Sequence, residues 1–150
     1  MKKNKIILLL AGVGFVASAF YGGHEYFKPN PDMTQLKPSF QVDAPALIQE
    51  FNTNDSAATS KYLGKIVVAK GTIKEIEKDG KGFYTIVLGS KGDMSSVRCA
   101  IDNHHNNSLT SLQIGSFAEV KGSITGFNKD ETGMLGSDVQ LNRCVVNNMN

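Results

Sequence analysis

The chain has 150 residues, which suits one domain with extensions, and its 41% apolar content is enough for a small core. Fifteen glycines, four prolines and no tryptophan fit a turn-rich β domain better than a helical one. The formal charge of +2 is an N-terminal effect: Lys2, Lys3 and Lys5 leave 13 of the 16 basic residues to face 14 acidic ones, so the remainder is near neutral, which speaks against a strong electrostatic footprint for nucleic acid or an acidic membrane.

The first element is "MKKNK" followed by "IILLLAGVGFVASAFYGG", residues 6–23, which carry no charge. Two readings compete. In one, residues 1–27 hold a signal peptide, cleaved after Ala19 at the small-x-small pair Ala17 and Ala19. In the other, residues 6–23 stay as a single membrane anchor, just long enough to span. Tyr21, Tyr26 and Phe27 would then sit at the outer interface, and the lysines would hold the N-terminus in the cytoplasm. A buried core helix fits poorly, because lysines crowd one end and prolines the other. Both readings place residues 28–150 outside the cytoplasm. The domain is expected either as the periplasmic part of a single-pass inner-membrane protein or free in the periplasm. No cysteine lies near residue 20, which excludes a bacterial lipid-anchored cysteine there.

Residues 28–42 begin with "KPNPDMTQLKPSF", three prolines without apolar periodicity, and read as an extended linker. A domain is expected over 43–150. Asp43 suits an N-cap and Pro45 an early helical position, and Leu47, Ile48 and Phe51 share one helical face. A second helical turn over 55–62 brings Tyr62 to that face, and Gly64 ends it. From Lys65 the pattern becomes β. "KIVVAKGTIKEIEKD", "FYTIVLGS", "SVRCAID", "FAEVKGSITGF" and "SDVQLNRCVVN" are five strands. "DGKG" and "KGD" are turns between them, and a short helix in "NHHNNSLTSLQIGS" is capped by Asn107 or Ser108 and stopped at Gly115. "VAKGTIKEI" and "EVKGSITGF" echo each other as long strands interrupted by Gly71 and Gly122. Two long bent strands, three shorter ones and a helix between the third and fourth describe a mainly β, five-stranded Greek-key barrel, the OB-fold. In that barrel the first strand pairs with the second and fourth, and the third lies beside the fifth.

The stretches "LIQEF", "ATSKYLGKIVVAKGTIKEIEKD", "VRCAID", "SLQIGSFAEVKGSITGF" and "DVQLNRCVV" resemble the tRNA-anticodon-binding-like OB-fold family, found among membrane proteins and lipoproteins of Bacteroidetes-type bacteria. The resemblance covers roughly residues 43–146. It implies oligonucleotide binding by analogy with anticodon-binding domains, and it brings no catalytic residues. The chain departs from the lipoprotein members in lacking their anchoring cysteine.

The two cysteines are Cys99 and Cys144. Adjacent strands lie ~4.8 Å apart and a disulfide needs Cα atoms ~4.4–6.8 Å apart, so neighbouring third and fifth strands permit a bond. Val139 and Leu141 facing inward would send Cys144 outward, so a bulge near Asn142 is required. An exported chain with two cysteines is expected to pair them, and closing the loop from 99 to 144 stabilises by about 4 kcal/mol in the chain-entropy model. Two separate buried thiols are the alternative. A nucleophilic Cys99 would need His104 or His105, but these sit in a polar loop past the strand end. A zinc site from Asp102, His104 and His105 would bring adjacent histidines to one ion, a poor geometry, so no metal, cofactor or catalytic residue is expected. "VLGSKGD" lacks phosphate-loop spacing and reads as a hairpin turn.

Ligands of such barrels bind across the second and third strands and the flanking loops. The candidates there are Phe83, Tyr84, Thr85, Lys91 and Arg98, with Asp102 or Glu50 as alternative partners for Arg98. The loop "NKDETGMLGSD", 128–138, is a second possible contact surface whose acidic residues would repel phosphate. The expected function is a non-enzymatic binding or assembly module of the cell envelope that recognises a protein, peptide or glycan. The alternative is the oligonucleotide-binding protein that the family resemblance implies.

Overall fold

The computed structural model describes residues 18, 20–23, 26, 31–109 and 112–149. The chain divides into two units, Met1–Pro31 and Asp32–Asn150. In the first, Ser18, residues 20–23 and Tyr26 are helical, and Phe20, Tyr21 and Tyr26 are exposed. The anchor or signal segment expected over 6–23 lies largely outside the described residues. Among those described, no helix is long and apolar enough to cross a membrane.

The second unit runs β1 (Phe40–Asp43), α1 (Ala44–Thr53), α2 (Asp55–Tyr62), β2 (Ile66–Lys78), β3 (Tyr84–Leu88), β4 (Ser96–Ile101), β5 (Phe117–Asn128) and β6 (Asp138–Met149). Strands β2 to β6 close a five-stranded barrel. The sheet order is β1-β2-β3-β4-β6-β5, and β2 also pairs with β5. The β2–β3, β3–β4, β2–β5 and β5–β6 pairs are antiparallel, and β4–β6 is parallel. The expected pairings therefore hold. β2 serves both sides because it is long: Ile66–Thr72 pair with β5, and Ile73–Lys78 with β3 after a register shift between Ile73 and Glu75. That shift, rather than Gly71 itself, is where the ladder is broken. Gly71 lies against α1, where an added Cβ would meet the Ala44 Cβ at 3.1 Å.

Inward-facing Val67, Ala69, Ile73, Ile86, Leu88, Val97, Ile101, Val120, Ile124, Val139 and Leu141 fill the barrel. The two helices add Leu47, Ile48, Phe51, Ala58 and Tyr62 to the same cluster. Phe51 stacks on Tyr62 and Phe127, with centroids 6.0 and 4.9 Å apart. Glu50 fastens α1 to α2 by accepting from the Tyr62 hydroxyl at 3.0 Å and from Lys61 at 2.8 Å. Asp43 stands at the N-cap of α1 but makes no side-chain cap bond; Pro45 supplies the helical φ in the first turn.

Two segments differ from expectation. The helix expected between the third and fourth barrel strands is a kinked 3-10 segment, Asn103–Leu109, and it starts before Asn107. Asp102 begins it, accepting from the His104 backbone N–H at 3.1 Å, and the run of Asn and His that follows is weak in helix propensity. The stretch 28–42, expected as a linker, joins the domain from Asp32 onward. A 3-10 turn over Met33–Gln35 is capped by Asp32, and β1 pairs in parallel with Phe40–Asp43 set against Val67–Lys70 of β2. Met33 is 1% exposed, and Val68 and Val145, outside the barrel core, are buried too. Lys121, 6% exposed on β5, donates to the carbonyls of Thr34 and Leu36 at 2.9 and 3.2 Å. Met33, Leu36, Phe40 and Val42 are too few and too scattered around Pro38 to mark an element, so only the tertiary contacts show this segment as part of the domain.

Candidate functional site

Side-chain alternation on β3 and β4 decides which candidate residues reach solvent. Ile86, Leu88, Val97 and Cys99 point into the core, and Tyr84 packs against it. Thr85 and Arg98 take the other parity. The register sets Glu77 beside Thr85, Thr85 beside Ala100, and Val87 between Glu75 and Arg98, with Gln140 of β6 next to Arg98. The outer face of β2, β3, β4 and β6 therefore carries Glu75, Glu77, Thr85, Arg98 and Gln140 in one patch. Arg98 forms an ion pair with Glu77, each about one-third exposed. It does not use Glu50, which is held by α2, or Asp102, whose carboxylate takes the His104 ring at 2.9 Å.

Phe83 stands at the end of the turn 79–83. Asp79 organises that turn: its carboxylate accepts from the backbone N–H groups of Lys81 and Phe83, both at 2.8 Å. Phe83 is 43% exposed. Tyr84 is half-buried, and the Lys78 ammonium lies 5.1 Å from its ring centroid. Lys91 sits elsewhere. It lines a concavity of about 320 Å³ with Thr72, Ile73, Lys74, Gly92, Ile114 and Gly115. Thus Thr85 and Arg98 share a face, Phe83 and Tyr84 lie at one end of β3, and Lys91 belongs to the turn after β3.

The loop 129–137 is built around Asp130. Its carboxylate accepts from Thr132 N at 2.9 Å and Oγ1 at 2.6 Å, from Leu135 N at 2.7 Å and from Gly136 N at 2.9 Å. The Thr132 hydroxyl and these backbone donors hold the Asp130 carboxyl well below its ordinary 3.8. A depressed native pKa gives a contribution present above the unfolded value and lost only as pH falls through the native one. The Leu135 and Gly136 amides are therefore expected to keep their hydrogen-exchange protection, relative to the rest of the domain, at pH 3, and to lose it in Asp130→Ala at neutral pH. Equal exchange in the two proteins at neutral pH would refute this role. These donors keep the Asp130 carboxylate ionised and Glu131 beside it is exposed, so the loop carries the negative charge expected to repel phosphate. The same turn displays Met134 and Leu135, and Met94 is exposed on the neighbouring loop. Sequence reading did not single out these three, because isolated apolar residues in loops carry no periodicity.

Cys99 and Cys144 are both fully buried and unbonded, on the adjacent strands β4 and β6. Burial, then Cys99, pushes the Cys144 thiol well above its ordinary value. His105 reaches Asp32, Nε2 to Oδ1 at 3.2 Å, while His104 lies on Asp102. The two rings thus serve different carboxylates.

Comparison with known proteins adds the following. The sequence profile of the tRNA_anti-like family matches residues 1–136. A crystal structure of a candidate nucleic acid-binding lipoprotein from Klebsiella pneumoniae is similar at 19% identity and a TM-score of 0.55, over 81% of this chain and 100% of that one. At that identity the likeness concerns the fold. Asparaginyl-tRNA synthetase from Entamoeba histolytica, at 19% identity and TM-score 0.40, covers 58% of this chain and 21% of its own. A candidate aspartyl-tRNA synthetase from Leishmania major, at 13% and 0.44, covers 82% and 23%. The chain thus spans under a quarter of either synthetase, and both are too dissimilar to bear on function. No curated protein sequence matches. With a profile match over most of its length and a closed five-stranded barrel beneath it, the chain belongs to the tRNA_anti-like family.

Proposed function

We propose that this chain is a non-enzymatic binding module of the bacterial envelope. Residues 6–23 tether it to the inner membrane or export it, and the domain recognises a protein, peptide or glycan across the outer face of β3 and β4. The observation that carries this reading is the charge of that face. Its one arginine, Arg98, is paired with Glu77, and Glu75 is exposed beside Val87. A polyanion needs a continuous positive groove, and this patch is neutral to acidic. A non-enzymatic role is supported by the burial of both thiols and by the carboxylate partners of His104 and His105, since a nucleophile needs access to substrate and a base within hydrogen-bond reach. The envelope location is supported by the charge and hydropathy of residues 1–23 and by the lipoprotein with the same fold.

A second reading, oligonucleotide binding, is favoured by the family and by one local feature. Phe83 and Tyr84 adjoin Lys78 and Lys81, a small stacking-plus-cation group at the 79–83 turn. Titration of the full chain with single-stranded DNA and RNA at low salt separates the two. The expected result is no binding stronger than about 1 mM, a standard free energy near −4 kcal/mol. Tighter binding that weakens with salt and is lost in Phe83→Ala would establish the second reading. Protease accessibility in spheroplasts tests the location, and the mass of the N-terminal peptide distinguishes an anchor from cleavage after Ala19.

A further inference from the structure

The inner surface of the β4–β6 seam is shaped around two sulfur atoms. Cys99 points inward between Val97 and Ile101 on β4. It is in register with Leu141, whereas Ile101 is in register with Cys144, so β6 carries one additional residue between these pairs. The same slip appears on the other side of β6, where Lys121 pairs with Val145 and Ser123 with Asn142. Arg143 accommodates it with φ 55°, the left-handed region that a residue with a Cβ rarely occupies. Without that bulge, alternation from Val139 and Leu141 would turn residue 144 to the outside. On β5 the space is kept by Gly122: a Cβ there would lie 2.5 Å from the Cys144 sulfur and 3.2 Å from the Asn142 carbonyl oxygen. A left-handed arginine, an interrupted ladder and a glycine together turn Cys144 into the core on the strand beside that of Cys99.

We infer that Cys99 and Cys144 are a covalent modification site, joined as a disulfide that stitches β4 to β6 when the chain folds outside the cytoplasm. This rests on the export part of the proposed function and is independent of the ligand. Both sulfurs are fully buried once the barrel is closed, so the bond forms while β6 is still undocked. A thiolate of one cysteine attacks an external disulfide. The S–S bond of that oxidant breaks, a mixed disulfide forms and one oxidant sulfur leaves as a thiol. The second cysteine then attacks the protein sulfur of the mixed disulfide and the other oxidant sulfur leaves. The chain loses two protons and two electrons, and one external disulfide becomes two thiols. Docking of β6 then seals the product from reductants.

The test uses the full-length chain expressed in a bacterium with its own N-terminus, quenched in acid and alkylated under denaturing conditions with and without reductant. Peptide masses are expected to show Cys99 and Cys144 unmodified and cross-linked until reduced. In the protein reduced under denaturing conditions and refolded, both thiols are expected to react with a thiol reagent about 100-fold or more slowly than in denaturant, as attack must await opening. Free thiols in a domain that protease reaches in spheroplasts would overturn the inference and leave the envelope reading standing. Free thiols in a domain that protease reaches only after lysis would overturn both. Equal reactivity of folded and denatured thiols would overturn the sealed seam.

Discussion

Phe51→Ala is expected to destabilise the domain by about 3–5 kcal/mol, the range for deleting a fully buried aromatic side chain. Phe51 is 1% exposed and stands between Tyr62 of α2 and Phe127 of β5. Its removal leaves a cavity that its neighbours cannot easily fill. Tyr62 is held by Glu50, Phe127 by the β5 ladder, and Leu47 by the turn of the same helix. The melting temperature should fall on the order of 10 °C for a domain of this size. Urea unfolding followed by circular dichroism measures the effect. Gln49→Ala, on the exposed side of the same helix, should change stability by no more than about 0.5 kcal/mol. A loss below about 1 kcal/mol for Phe51→Ala would mean that the helix pair is not part of the cooperative core.

Gly136→Ala tests how the loops on either side of the β4–β6 seam are joined. Gly136 has φ 79°, and an added Cβ would fall 2.3 Å from the Met94 carbonyl carbon and 2.5 Å from Ser95 N. These are backbone atoms and cannot swing aside, so the loops 89–95 and 129–137 must part. Parting them breaks Ser137 N–H to Ser95 Oγ at 2.9 Å and Ser96 N–H to Ser137 O at 3.0 Å, the bonds next to the Ser96–Asp138 pair where the ladder begins. The expected loss is about 3 kcal/mol, roughly 1–2 from the left-handed backbone and the remainder from the contact. Gly133→Ala separates these two terms. Gly133 has φ 70° but nothing within 4 Å of the added Cβ, so it should lose only the backbone part. Hydrogen exchange at the Ser96 and Ser137 amides is expected to rise in Gly136→Ala and stay unchanged in Gly133→Ala. Equal effects of the two substitutions would show that the loop contact does not matter.

Most of the barrel was legible in the residues because the signals that specify it are local. Alternation of β-branched residues marks β2 to β6, and the turn residues at 79–82 and 91–93 mark the breaks. Leu47, Ile48, Phe51 and Tyr62 fall at helical spacing. The bulge near Asn142 was legible too, since Val139 and Leu141 on one side and Cys144 on the other cannot all face inward without a slip. The candidate face was legible only in part. Alternation separates Thr85 and Arg98 from Ile86 and Cys99, but it does not say that Glu77, on a different strand, neutralises Arg98. It also does not say that Lys91 turns to Thr72 and Ile114 instead.

Sequence alone therefore determined the fold class, the strand order and the inward set, because each depends on periodicity along one stretch of chain. Tertiary structure decided what depends on distant segments meeting. It set residues 32–43 against β2, β5 and β6, with Lys121 donating to two of their carbonyls. It left the candidate face close to neutral by pairing charges 21 residues apart. It brought two cysteines from separate strands into one core, because one additional residue in β6 rotates Cys144 inward and Gly122 leaves room for its sulfur.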